Sequence, residues 1–350
     1  MVVKVSKPEI NVREKISELD KPSGTAGQAM LAAETPREQQ NLIGAGRKNL
    51  IINGDFRVSQ RGDYTSATST THNQIYLDRW VVRLTTVTAN IQHILGTNSA
   101  PGYPYKDSNS LRLTATSSGT GLMRHLQRVE GFLSGRTLTI SAWVRSNSSN
   151  ARVFSFQHNG GYRVSSKPHS GNGEWEYLTL TTLNDATTAN NLYFDIALAT
   201  EAFGSIEITS GEYVEISEVQ MEIGNVATPF EYRLYGEELA LCQRYYQIIR
   251  CKDTNGNVAL IRNRSTHNEY SGTVYSMSTM RTEPSMSNTG MDRLHKPGIV
   301  YDTVASVSLS AHPDGTSARV NLVPGTDHTN ALMGWFGAVS GGSINFDAEF

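Results

Sequence analysis

The sequence predicts a mainly β protein built around a two-sheet antiparallel sandwich, and three observations predict it. Leu138, Ile140, Ala142 and Val144 alternate with Thr139, Ser141, Trp143 and Arg145, and Leu192, Phe194, Ile196 and Leu198 repeat that period of two. About ten strand-like segments recur between residues 49 and 231 with turn clusters between them, the spacing of a sandwich. The composition agrees: 30 glycines and only 18 % charged residues among 350 suit many turns and polar outer faces.

Residues 1–48 read as an anchoring arm with short helices. Val12, Ile16 and Leu19 share one helical face, and Pro22-Ser23-Gly24 breaks that helix. A second short helix covers Gln28–Ala33 and carries Leu31. Thr35-Pro36-Arg37-Glu38 is a capping box with proline at the first helical position, and Leu42-Ile43-Gly44 closes the helix it starts. Helices this short are marginal alone in water, so Val12, Ile16, Leu19, Leu31 and Leu42 are expected to anchor the arm on a partner surface.

Residues 49–231 read as the sandwich. It opens with a strand at Leu50-Ile51-Ile52 that runs into an Asn53-Gly54-Asp55 turn and Phe56, and Asp78-Arg79-Trp80 opens the next apolar run. Further strands are expected at Arg79–Leu84, Ala89–Leu95, Leu111–Ala115, Arg152–Gln157, Trp175–Thr181, Ser205–Ile208 and Tyr213–Ile223. The last has a phase slip: Val214 and Ile216 point one way, Val219, Met221 and Ile223 the other. A bulge near Ser217-Glu218 reconciles them.

Residues 232–250 read as a linker helix with Glu237 and Glu238 at its positive end. Leu239, Cys242, Tyr246 and Ile249 form one stripe, and Leu241, Tyr245 and Ile248 a second beside it. A face this wide is expected to be buried on more than one side, wedged between the two β-domains or against neighbouring subunits, with Leu239, Cys242 and Tyr246 as the candidate oligomerisation residues. Residues 251–350 return to β, with strands expected at Val258–Arg262, Gly272–Met280, Val300–Leu309, Arg319–Leu322, Ala331–Val339 and Ser343–Phe350.

Several function classes are excluded or disfavoured. A net charge of −2 draws in neither nucleic acid nor an anionic membrane. No stretch approaches the roughly 18 consecutive apolar residues of a membrane span, and Met1–Glu9 lacks the apolar core of a secretion signal. Cys242 and Cys251 read as two thiols, and the histidines have no metal-ligand spacing. No nucleophile elbow, Walker loop or dinucleotide fingerprint occurs. Gly44-Ala45-Gly46 before Arg47-Lys48 leads into a strand rather than a helix, so it is not a phosphate loop. Asp55, Asp63 and Asp78 read as turn carboxylates, since nothing places two of them across a substrate. Arg124, Arg128 and Arg136 with His125 read as a basic patch around a hairpin, solvated or facing an acidic partner. The expectation is no enzyme and no cofactor.

Three stretches taken together carry a family resemblance. Asn49–Phe56 with Asp78-Arg79-Trp80, then Leu138–Val144, then Ile216–Phe230 resemble the carbohydrate-binding-module-like jelly rolls of tailed-bacteriophage fibre and tail proteins. Glu231–Gln247 looks like the linker helix of the same proteins, Met280-Arg281-Thr282-Glu283-Pro284 like a strand end in their C-terminal domain, and Gly27–Thr35 running to Gly44 like their fibre neck. The resemblance covers about residues 25–290. It implies a jelly-roll sandwich followed by a second, smaller C-terminal β-sandwich. It also implies a virion structural protein, commonly a homotrimer, whose arm docks on other virion proteins and whose β-domains bind host-surface glycan. Related modules complete a structural calcium site with a late Asp pair. Here Arg57 follows the turn and the late strand offers Ser217-Glu218, so a calcium ion at Asn53, Asp55 and Glu218 and a plain side-chain-bonded turn are both open, the plain turn being expected.

Sugar binding needs flat aromatic faces beside amides, carboxylates or arginine. Trp143 sits on the polar phase of its strand, and Tyr162 and Trp175 flank loops rich in Gly, Asn and Ser. These three are the candidate carbohydrate-binding residues; cover by a loop or a neighbouring subunit is the other reading. The leading expectation is a tail-fibre-like appendage on the virion surface, with itself, other virion proteins and host polysaccharide as partners and with no membrane insertion. A cement or decoration protein without a ligand is the alternative, and a glycan hydrolase the second.

Overall fold

The alternation in the sequence is realised as two facing antiparallel sheets. The computed structural model describes position 32 and residues 48–96, 109–130, 133–157, 163–184, 192–250, 256–263, 270–275, 279–289, 293–296, 299–311, 317–324, 333–338 and 343–349. The chain divides into two compact units, Met1–Lys48 and Asn49–Phe350. The arm helices and Val12, Ile16, Leu19, Leu31 and Leu42 lie outside the described residues.

One sheet runs β1 (Thr68–Thr70), β4 (Ala89–Ile94), β5 (Ser110–Ala115), β13 (Tyr213–Ile223), β7 (Arg136–Ser146), β10 (Trp175–Asn184). The other runs β2 (Gln74–Ile75), β3 (Val81–Thr85), β6 (Gly119–Val129), β11 (Leu192–Leu198), β8 (Ala151–Gln157), β9 (Arg163–Ser165), with β12 (Ile206–Ile208) also on β6. The chain steps from β5 to β6, to β7 and to β8 by changing sheets each time, which is the jelly-roll arrangement.

The core lies between the sheets. Leu138, Ile140, Ala142 and Val144 are fully buried on one side, and Phe194, Ile196 and Leu198 on the other. Each large apolar side chain so placed contributes roughly 1.5–3 kcal/mol. Trp80 packs on Phe56 (5.0 Å between centroids) and Phe194 (6.2 Å), and its indole N–H donates to the Asn53 carbonyl (2.8 Å). The expected bulge is present: the register of β13 on β7 shifts between Ser217 and Gln220, and Glu218 there has φ 50°.

Three elements differ from expectation. Leu50–Ile52 is not a strand of either sheet, and the chain bends at Ile52. The Leu50 N–H donates to the Met221 carbonyl of β13 (2.8 Å), whereas Ile52 exchanges bonds with the Gln127 amide of β6 (2.9 and 2.8 Å). A side-chain amide stands in for a neighbouring strand, so the segment bonds to both sheets and is a rung of neither.

Second, the hairpin expected around Arg124, Arg128 and Arg136 is not formed: β6, a strand of eleven residues, and β7 lie in different sheets. The buried positions of one phase of β6 are Met123, His125, Gln127 and Val129, two of them polar, so no apolar alternation shows. Burial of the His125 ring pushes its pKa down to about 4, against a smaller opposing pull from the Val214 backbone. A folded-state pKa below the unfolded value of about 6.5 means stability is present above pH 6.5 and lost as the pH falls through 4. Relative to His125→Met, the wild-type protein is expected to lose roughly 3 kcal/mol between those limits, read by urea denaturation across the pH range. Taking the difference removes Asp78 (pKa about 6) and Glu218 (about 8), which titrate with the opposite sign.

Third, the helix expected over 232–250 is shorter. It spans Tyr235–Gln243 (α1), and the chain then enters β14 (Tyr246–Arg250). Tyr246, Ile248 and Ile249 are aromatic and β-branched, and β14 pairs with β22 (Ser343–Asp347), Ile249 opposite Ile344. Long-range pairing overrides the local helical period. Cys242 is a buried free thiol, Leu239 is half-buried, and Tyr246 lies under the Arg61 guanidinium (3.8 Å). Cys242 and Tyr246 are therefore covered by their own chain rather than offered to another subunit.

The smaller C-terminal β-body has two parts. β14, β22 and β17 (Ser285–Thr289) form a three-stranded sheet. β15 (Gly256–Asn263), β16 (Tyr270–Tyr275), β20 (Ser317–Pro324), β19 (Ile299–Ala311), β18 (Arg293–Lys296) and β21 (Met333–Ala338) close into a barrel, which leaves no free edge. The three-stranded sheet is bound to the sandwich by charge. Arg79 pairs with Glu349 (2.5 Å) and stacks on Tyr245 (3.5 Å), and Arg61 pairs with Asp347 (2.8 Å). No helix among the described residues is long and apolar enough to cross a membrane.

Candidate functional site

The core claims the even-numbered residues of β7, so the odd-numbered ones face away from it. Trp143 and Arg145 thus stand on the outer face of the six-stranded sheet. On β10, Leu178 and Leu180 point to the core, so Trp175, Tyr177, Thr179 and Thr181 join Trp143 outside. The register sets Tyr177 opposite Trp143 and Trp175 opposite Arg145. Trp143 and Tyr177 have ring centroids 5.2 Å apart at 51°. Trp175 is the next same-face position, roughly 7 Å along the strand. Trp143 and Trp175 are half-buried and Tyr177 is 42 % exposed, so neighbours hold the rings without covering them completely.

A polar ladder flanks these rings. Across β7 and β13, Arg145 lies opposite Glu215, Trp143 opposite Ser217, and Ser141 opposite Gln220. Arg145 Nε donates to the Gly173 carbonyl (2.8 Å), which fixes its guanidinium beside Trp175. Glu215 is fully buried, accepts from the Ser110 hydroxyl (2.6 Å), and pairs with Arg112 (3.4 Å), which stacks on Tyr213 (3.8 Å). Flat apolar rings beside fixed donors and acceptors are what a saccharide requires: its C–H faces cover the rings and its hydroxyls meet the polar groups.

Of the three expected aromatics, Trp143 and Trp175 are brought onto one face, and Tyr162 lies outside the described residues. Tyr177 and Arg145 complete the cluster without having been among the candidates. Tyr177 was within reach of the sequence, since it shares the phase of Trp175 two residues earlier. Arg112 and Tyr213 were not, because only strand order brings β5 and β13 to the same face.

The Asn53-Gly54-Asp55 turn is tied down by its own side chains. Asn53 Oδ1 accepts from the Val58 N–H (2.9 Å), and its Nδ2 donates to the Val58 (2.8 Å) and Asp78 (3.1 Å) carbonyls. Arg57 Nε binds Asp55 Oδ2, so a guanidinium already neutralises that carboxylate. The Tyr232 hydroxyl binds Glu218, and burial first, then the Asp55 charge, pushes the Glu218 pKa up to about 8. Among the described residues, Asp55 Oδ1 is buried without a hydrogen-bond partner, and no grouping of three or more His, Cys, Asp and Glu could hold a metal ion.

No family model matches the chain, and no curated protein does. Solved structures match about half of it. The enzymatically active domain of tailspike protein 4 from bacteriophage CBA120 is similar at 13 % identity and a TM-score of 0.33, over 50 % of this chain and 21 % of that one. The module TmCBM61, solved with β-1,4-galactotriose, is 12 % identical with a TM-score of 0.30, over 51 % of this chain and all of its own. The family 11 carbohydrate-binding module of Clostridium thermocellum is 15 % identical with a TM-score of 0.26, over 46 % of this chain and 98 % of its own.

Proposed function

We propose that this chain is a virion appendage protein whose jelly roll binds host-surface glycan on the outer face of its six-stranded sheet. One observation carries the reading: Trp143, Tyr177 and Trp175 stand on that face, Trp143 and Trp175 half-buried and Tyr177 exposed. The role is adhesion rather than catalysis. Residues 1–48 tether the chain to other virion proteins, and homotrimerisation on the particle surface presents several weak sites together. Effective concentration then turns weak binding into avidity.

The test is titration of a panel of neutral oligosaccharides into the full chain, followed by tryptophan fluorescence. A binding saccharide is expected to shift the emission. Trp143→Ala is expected to weaken affinity about tenfold or more, because the ring is central to the contact. A variant with unchanged affinity would contradict the assignment.

The edge position of β10 favours a second reading, that of a cement protein. Tyr177 and Leu183 (58 % exposed) lie along the last strand of the sheet, where another subunit could pair. In that case Tyr177→Ala would impair particle assembly and leave every glycan titration flat.

A further inference from the structure

We propose that His169 is a positioning residue for the Trp143 face: its neutral imidazole fastens the loop of residues 166–174 and thereby presets Trp175 and Arg145 for the far end of a bound oligosaccharide. The inference rests on the reading of that face as the saccharide site and deepens it. It makes the length of the saccharide the property that Trp175 recognises.

The hydrogen bonds fix the state of the ring. The Gly171 N–H donates to His169 Nδ1 (2.9 Å), so that nitrogen carries no proton. His169 Nε2 lies 3.0 Å from the Glu174 carbonyl, which only accepts, so Nε2 bears the proton. The ring is fully buried and spends both nitrogens inside its own loop. The charged group beside it is the Glu176 carboxylate, 3.8 Å from Nε2 and bound by the Ser170 N–H (3.2 Å). The loop itself spans the two sheets. Its start is strapped to β8 by the Ser166 N–H on the Val153 carbonyl (2.8 Å) and the His169 N–H on the Ala151 carbonyl (2.9 Å). Its end is strapped to β7 by the Gly173 N–H on the Ser146 carbonyl (2.9 Å). The imidazole is the strut between those two attachments.

What the strut holds is one end of the candidate site. The Glu174 carbonyl belongs to the peptide bond that leads into Trp175, so the ring fixes the backbone from which that indole rises. Between Gly171 and Glu174 stands Gly173, whose carbonyl accepts from Arg145 Nε (2.8 Å). Trp175 and Arg145 are register partners, the first rung of β10 on β7. A loop rich in Gly, Asn and Ser has much freedom to lose, and a buried side chain that removes it beforehand lowers the cost of binding. Slack is further removed at Gly171, which has φ 80° and lies so close to the Ser149 nitrogen that a Cβ would stand 2.8 Å from it. Trp143 and Tyr177 need no such support, because they face each other inside the continuous β7–β10 ladder. Loss of the strut should therefore be felt at the Trp175 end alone.

The test titrates the full chain with cello-, xylo- and galacto-oligosaccharides, each as a series from the disaccharide upwards. Wild-type affinity is expected to rise with length as the saccharide reaches Trp175. His169→Leu, which makes neither contact, is expected to bind the longest homologue about tenfold more weakly and the disaccharide within about twofold of wild type. His169→Asn, whose side-chain oxygen can take the Gly171 N–H, should recover most of the loss. Should His169→Leu fail to fold, His169→Gln, which keeps only a donor for the Glu174 carbonyl, takes its place with a smaller expected loss in the same direction. A histidine that merely closed the loop would lower the melting temperature and leave the gain with length intact. Imidazole nitrogen shifts read the ring without any ligand, and a proton on Nδ1 at neutral pH would overturn the inference. So would undiminished binding by His169→Leu, or His169→Gln in its place, or an equal loss at every length, with the reading of the Trp143 face left standing. Wild type that binds no saccharide of the three series would sink that reading and this inference together.

Discussion

Gly54→Ala is expected to lower the stability of the sandwich by roughly 3–4 kcal/mol and its melting temperature by about 10 °C. A Cβ at Gly54 would stand 2.2 Å from the Val219 carbonyl oxygen and 3.2 Å from its carbon, far inside contact distance. Neither partner has room to retreat. The Val219 N–H donates to the Gly54 carbonyl (2.9 Å), and Val219 follows the bulge residue Glu218. On the other side, Asn53 is pinned by Trp80, Val58 and Asp78. Gly236→Ala is the control. A Cβ there meets nothing within 4 Å, and in the first turn of a helix alanine is expected to be neutral or to stabilise by up to about 1 kcal/mol. Urea denaturation of both variants makes the comparison; a Gly54→Ala midpoint equal to wild type would show that the turn and the bulge do not touch.

Arg233→Ala is expected to cost roughly 3–5 kcal/mol. Arg233 is buried, donates to the Ile51 (3.0 Å) and Asn49 carbonyls, and pairs with Glu238 at 3.3 Å. It ties the segment leading into α1 to the opening segment of the jelly roll. Its removal strands Glu238, which is 4 % exposed and whose pKa burial already raises. The sign of the pH dependence follows. A carboxyl with a folded pKa above its unfolded value contributes stability below the unfolded value and loses it as the pH rises through the folded one. The deficit of Arg233→Ala against wild type should therefore shrink on acidification as Glu238 takes up a proton. A deficit that does not change with pH would mean that Glu238 is not what the arginine neutralises.

What the sequence reveals of this fold depends on whether the determining contacts are local. The strands β7, β11 and β13 are legible because their inward residues are apolar at every second position, and even the bulge shows as a break in that rhythm. β6 is illegible because His125 and Gln127 occupy buried positions, Gln127 to bridge to Ile52. β14 looks helical because its partner β22 lies about a hundred residues away and leaves no mark on the local pattern. The same division holds for the candidate site. The phase of Trp143 on its strand points it outward, but its neighbour Tyr177 is given by register.

The most direct test of the account is a crystal structure of the full chain soaked with an oligosaccharide selected from the glycan panel. Saccharide density stacked on the Trp143 and Tyr177 rings, with hydroxyls near Arg145, is the predicted result. Density on another surface, or the same rings buried under a neighbouring subunit of the assembled appendage, would contradict it.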